Sequence, residues 1–77
     1  MKSNAIDPHL KTAKRIHNFL LRTHNGHTDR QLQKLLGADD LYTIRRRTSD
    51  LYRDGKLMVV DYIEENGHPN RVWRAVV

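Results

Sequence analysis

Cysteine is absent from the 77 residues, so neither a disulfide framework nor a thiolate metal cage can support the fold. Its absence fits a reducing compartment. Long apolar runs are absent too: none approaches the about 18 residues of a membrane-crossing helix. The first fifteen residues, MKSNAIDPHLKTAKR, contain nothing like the apolar core of a signal peptide. There is no internal repeat, no low-complexity segment and no composition break that would mark a second domain. A Ser/His/Asp set, a Gly-rich phosphate loop and a paired-carboxylate constellation are all missing, and a chain this short has little room for a substrate pocket. We therefore expect no catalysis. His24 and His27 are close in sequence, but zinc needs three or four convergent ligands and no third group stands nearby, so neither a metal site nor a cofactor is expected. With this length the chain is one small domain, 1–77, that buries only about 60% of its unfolded surface.

What the chain does have is positive charge. Fourteen Lys and Arg stand against nine Asp and Glu, for a net charge of +5 and a pI near 10.0. That balance favours a polyanionic partner. The charge is uneven. Residues 1–56 carry 12 basic and 6 acidic side chains, whereas residues 57–77 carry 2 basic and 3 acidic.

Residues 1–6 read as a short flexible lead-in. Asp7 then suits an N-cap and Pro8 a first helical position. Leu10, Ala13, Ile16, Phe19 and Leu20 recur at helical spacing and predict an apolar stripe, with Asn25-Gly26 ending the helix. In HTDRQLQKLLG, Thr28 and Gln31 have the spacing of a capping box. Leu32, Leu35 and Leu36 supply an apolar face, and Gly37 suits the C′ position. After GADD, where Asp39 or Asp40 can cap, a third helix is expected over residues 41–54, with Leu41, Ile44, Thr48 and Leu51 along one side.

Beyond Gly55 the period changes from about 3.6 to 2. KLMVVDYI alternates, placing Leu57, Val59, Asp61 and Ile63 opposite Met58, Val60 and Tyr62. Asn66-Gly67 signals a hairpin turn, Pro69 argues against regular strand at that point, and RVWRAVV returns. Trp73, Ala75 and Val77 are expected to meet the helices, because Trp73 is the largest apolar group and Arg74 wants water. The class is α+β: three helices followed by a two-stranded antiparallel β-hairpin, the hairpin occupying 57–77.

Helices two and three, joined through a Gly-containing connection, have a helix-turn-helix layout. In that unit the second helix enters the major groove, which is about 12 Å wide and admits one helix. Tyr42, Thr43, Arg45, Arg46 and Ser49 lie off the apolar stripe and provide the polar face that groove contact requires. Arginine is suited to guanine, bidentate to O6 and N7. Arg47 stands three residues before Asp50, a helical ion-pair spacing, so a structural role competes with phosphate contact. Tyr42 either stacks at a sugar or packs against its own helix. Thr28 marks a helix N-terminus that can attract a phosphate.

The segments TDRQLQKLLG, TIRRRTSDLYRDGKL and ENGHPNRVWRAV together resemble the winged helix-turn-helix superfamily, in the small form found in bacteriophage and bacterial regulators. Thr43, Ile44, Arg47, Ser49, Asp50, Leu51 and Gly55 match its pattern position by position; Lys56 departs from it, with Leu57 able to take over the apolar role. The resemblance implies a cytoplasmic transcriptional regulator of phage or prophage type that binds double-stranded DNA with helix 41–54. Lys11, Lys14, Arg15, Arg30, Lys34, Arg53 and Lys56 would attract phosphates, and His68, Asn70 and Arg71 at the wing tip would approach the duplex. Glu64 and Glu65 oppose that approach. The alternative is a winged-helix interaction module, an inhibitor or adaptor of a host protein, using the acidic wing. A homodimer on paired half-sites is compatible with the first reading.

Overall fold

In a computed structural model, residues 8–37 and 40–77 are described; the lead-in, the Asp7 cap and Asp39 lie outside them. Three helices come first, α1 (Pro8–Arg22), α2 (Asp29–Leu36) and α3 (Leu41–Arg53). An antiparallel hairpin follows, β1 (Leu57–Glu65) and β2 (His68–Ala75).

The ends of α2 and the start of α3 have local causes. The α2 capping box is complete: the Gln31 N–H donates to the Thr28 hydroxyl at 3.2 Å, and the Thr28 N–H donates to Gln31 Oε1 at 3.0 Å. Gly37 closes α2 at φ 61°, and Arg15 Nη2 reaches from α1 to donate to the Leu36 carbonyl at 3.0 Å. Asp40 caps α3, its Oδ1 accepting from the Thr43 N–H at 2.7 Å. That bond holds the Asp40 carboxyl below its ordinary range. The first helix stops at Arg22, ahead of the expected Asn25-Gly26. The residues in between run out so that His27 can pair with Trp73, through N–H···O bonds of 3.0 and 2.8 Å. This short crossing ties the α1–α2 connection to β2.

Seven side chains form the core: Ile16 and Leu20 of α1, Leu32 of α2, Ile44 and Leu51 of α3, Leu57 of β1 and Trp73 of β2. Ala13, Phe19 and Leu36 pack around them. Trp73 is 1% exposed; burying about 200 Å² of aromatic surface is worth up to about 5 kcal/mol before entropy. Two expected core leucines are instead exposed, Leu10 and Leu35. Leu10 borders the open groove between α1 and α3, and Leu35 turns away from the side of α2 on which Leu32 is enclosed.

The hairpin departs from simple alternation at one residue. Val59 pairs with Trp73 and Asp61 with Val72, leaving Val60 as a bulge. One extra residue inverts every later side chain. Asp61 and Ile63 therefore leave the Trp73 face for the Val72 face, and Tyr62 and Glu64 take their places. The inversion takes Asp61 away from Trp73 and moves the carboxylate on that face out to Glu64, near the hairpin tip. Pro69 lies inside β2, opposite Glu64, near the strand start and on a sheet edge, where a missing N–H is tolerated. Asn66 and Gly67 at φ 53° and 79° make the tight turn. Val77 is fully exposed, whereas Val72, expected to face water, is buried. Gly26 explains Val72: a Cβ there would collide with Val72 Cγ1 and crowd Val60 Cγ2.

A carboxylate joins the helices to the hairpin. Asp29 Oδ1 accepts from the Thr48 hydroxyl at 2.7 Å and from the Trp73 indole N–H at 3.0 Å. Replacing Asp29 by Ala leaves the buried Trp73 indole N–H without its acceptor, while the Thr48 hydroxyl keeps the Arg45 carbonyl at 3.1 Å, and we expect a loss of about 1–3 kcal/mol in urea unfolding. Asp29→Asn keeps a neutral acceptor and should lose about 1 kcal/mol. Gly26→Ala should cost about 1–3 kcal/mol by overpacking, and Val72→Ala in the same chain should recover part of it, a non-additivity readable by a double-mutant cycle.

Candidate functional site

The outer surface of α3 carries an open basic stripe. At about 100° per residue, Tyr42, Ser49 and Arg53 fall almost on one line, Arg45 about 60° to one side and Arg46 about 40° to the other. Ile44, Thr48 and Leu51 are buried on the opposite side. The amphipathic pattern that builds the core therefore also leaves this stripe open.

The three consecutive arginines have three different environments. Arg45 is exposed and faces a groove of about 540 Å³ between α3 and the hairpin tip, shared with Ser49, His68, Asn70 and Arg71. Arg46 turns the other way and donates to the Tyr42 hydroxyl at 3.0 Å, its guanidinium carbon 5.8 Å from the ring centroid. This hydrogen bond holds the guanidinium above its ordinary pKa. Tyr42, itself exposed, thus props Arg46 on the surface, beside the half-buried Thr43. Arg47 is only 12% exposed at its side chain, and its Nη2 stands 3.2 Å from Asp50 Oδ2. Asp50 also pairs with Arg53, so its charge is answered from both sides.

The hairpin contributes Arg71, whose guanidinium carbon lies 5.7 Å from the ring centroids of both Tyr52 and Trp73. Two aromatic faces hold this cation beside the groove. Asn70 Nδ2 donates to the His68 carbonyl at 3.2 Å, stiffening the return from the turn. Glu65, expected to repel an approaching anion, stands 3.6 Å from Arg30 of α2. Both partners are substantially exposed, so the pair adds little stability, but it offsets the charge and links the hairpin tip to α2.

Two expected contact residues fall elsewhere. Thr28 is buried, 1% exposed, with its hydroxyl engaged in the capping box. The carboxylate of Asp29 already occupies the electropositive end of α2, so the structure does not present Thr28 as a phosphate cradle. Lys56 is exposed but sits with Lys14, His17 and Arg47 around a separate groove of about 430 Å³ between α1 and α3. The structure thus groups Arg45, Ser49, His68, Asn70 and Arg71, sets Tyr42, Thr43 and Arg46 beside them along α3, and separates Arg47 and Lys56. Asp29 and Tyr52, which build the groove and hold its cations, carry no motif of their own. The only signal for Asp29 was a buried tryptophan whose indole N–H needs an acceptor.

His17 in the second groove has its pKa lowered from 6.5, first by burial and then by the Lys56 cation. Its folded-state value is the lower one, so the unfolded chain takes up the proton first. His17 therefore favours folding above pH 6.5 and loses that contribution as pH falls through the folded value. We expect its NMR titration midpoint below 6.5, and His17→Gln should flatten the acid limb of stability against pH. A midpoint at or above the free-histidine value would contradict the assignment. In comparison with known proteins, the chain matches no protein-family model, no curated protein and no solved structure.

Proposed function

We propose that the protein is a winged helix-turn-helix module that binds double-stranded DNA in transcriptional regulation, of the small phage or bacterial kind. In this reading α2 and α3 are the helix pair, α3 is the reader in the major groove, and the hairpin is the wing. The observation that carries it is the open basic stripe of α3 running directly beside the hairpin cation Arg71. Arg45 and Arg71 border one groove, while Arg46 projects from the same helix on its Tyr42 support. The neighbouring acids do not oppose an anion freely, because Asp50 is paired with Arg47 and Arg53, and Glu65 with Arg30.

The three arginines then divide their roles. Arg45 and Arg46, free to extend from a helix of 13 residues, suit base edges or phosphates. Arg47 holds α3 to its own acid and to the α1 side. Arg71 and Asn70 meet the backbone flanking the groove. A protein-interaction role is favoured by a different observation: the hairpin's outer side carries several exposed apolar side chains.

Salt titration of duplex binding is the direct test. Log affinity should fall linearly with log salt at about 0.9 per phosphate contacted; a flat response, or no binding to random duplex at low salt, would sink the proposal. Arg45→Ala or Arg46→Ala should cost about 1–3 kcal/mol and relax preference at one base position, whereas Lys14→Ala should weaken all sequences equally. Identical behaviour of the three variants would mean that α3 is not the reader.

A further inference from the structure

The face of the hairpin turned away from the helices has a composition that nothing above uses. The cross-strand register puts Met58, Asp61 and Ile63 of β1 there with Val72 and Arg74 of β2, while Asn70 at the tip opens onto the groove beside α3, and Val60 at the bulge closes against Val72 beside Gly26. Val76 follows by alternation and extends the pairing through its N–H to the Lys56 carbonyl at 2.9 Å. Met58, Val60, Ile63 and Val76 are each between 41% and 45% exposed. They surround Val72, which is covered. Four half-open apolar side chains are gathered on one sheet face, and apolar patches of this kind mark association sites. The bulge assembled it, since without the extra residue Ile63 would lie on the opposite face.

Asp61 and Arg74 are the charges this face leaves open, since Glu65, which shares it by alternation, is met by Arg30. Asp61 and Arg74 are both exposed, and neither forms an ion pair among the described residues. Two copies related by a two-fold axis present the same patch to each other. Such an axis can set each Asp61 against the other copy's Arg74 while the apolar groups meet between them. An edge-to-edge pairing of β1 strands is disfavoured. The bulge twists that edge, and Asp61 Oδ1 accepts from the Tyr62 N–H at 2.8 Å.

We propose that this outer face is a self-complementary interface between two copies of the chain, with Met58, Val60, Ile63 and Val76 at its centre and reciprocal Asp61–Arg74 pairs at its sides. A strand of nine residues is about 30 Å long, and three chain widths beside it span about 14 Å, so each copy covers about 400 Å². The total, about 800 Å², is below the about 1,200 Å² at which stable specific interfaces begin, and the dimer is therefore weak and concentration-dependent. The proposal requires nothing about what α3 meets, and Arg45 and Arg46 lie on a different surface.

Sedimentation equilibrium of the full chain tests it. The wild type should dimerise with rising concentration. Asp61→Arg and Arg74→Asp, each at an exposed position and each checked for native circular dichroism, should weaken self-association about tenfold or more, because each copy then presents like charges. Mixing the two variants should restore dimers, since one copy then carries two cations where the other carries two anions. A chain that stays monomeric at its highest attainable concentration leaves this face to some other partner and overturns the proposal. So do single variants that dimerise like wild type, or a mixture that remains monomeric.

Discussion

The Asp29 carboxylate sits where three elements meet, at the first turn of α2, against Thr48 of α3 and Trp73 of β2, and one of its oxygens accepts from both. Removing a carboxylate from water is costly unless donors are aimed at it. Here a buried hydroxyl, an indole N–H and the N-terminal end of a helix supply the compensation. Each donor is in turn obliged to find an acceptor, so the arrangement fixes α3, α2 and the hairpin relative to one another more sharply than apolar contact alone does. The position of the groove between Arg45 and Arg71 follows from that constraint.

The hairpin owes its two unlike faces to two small departures from regularity. The bulge at Val60 switches the strand's phase midway, so that Leu57 and Val59 serve the core while Asp61 and Ile63 go to the outside. Gly26 lets the α1–α2 connection lie close to Val72 without a clash. A helix-facing side that carries Trp73 and an outer side that carries an apolar patch with balanced charge are both consequences.

Along α3, the same residue type is used in three ways because of angle and neighbours. Arg47 is drawn toward the α1 side and its acid, Arg46 is held on a tyrosine, and Arg45 is left facing open space. A cation that is already paired contributes little field at the surface; one that is propped but unpaired contributes much. The basic character of the chain is concentrated by this sorting, since the acids nearest the stripe are answered locally.

Local chemistry was legible from the residues themselves. The capping box of Thr28 and Gln31, Gly37 at positive φ, an aspartate cap at 39 or 40, the Asn66-Gly67 turn, the Ile44–Thr48–Leu51 stripe and the helix-to-strand change of period all depend on neighbours a few positions apart, and the sequence by itself determined them. The exposed leucines, the buried Val72, the early end of α1, the passage of β2 through Pro69 and the inversion after Val59 depend on what lies across space, and only the tertiary structure decided them. The candidate site divides in the same way. The spacing of Arg47 and Asp50 and the outward direction of Arg45 and Arg46 are helical geometry, written in the chain. The joining of Arg45 to Arg71, the withdrawal of Thr28 and the central position of Asp29 come from residues far apart in sequence, whose meeting is set by burial of Trp73 and by the acceptor that its buried N–H demands.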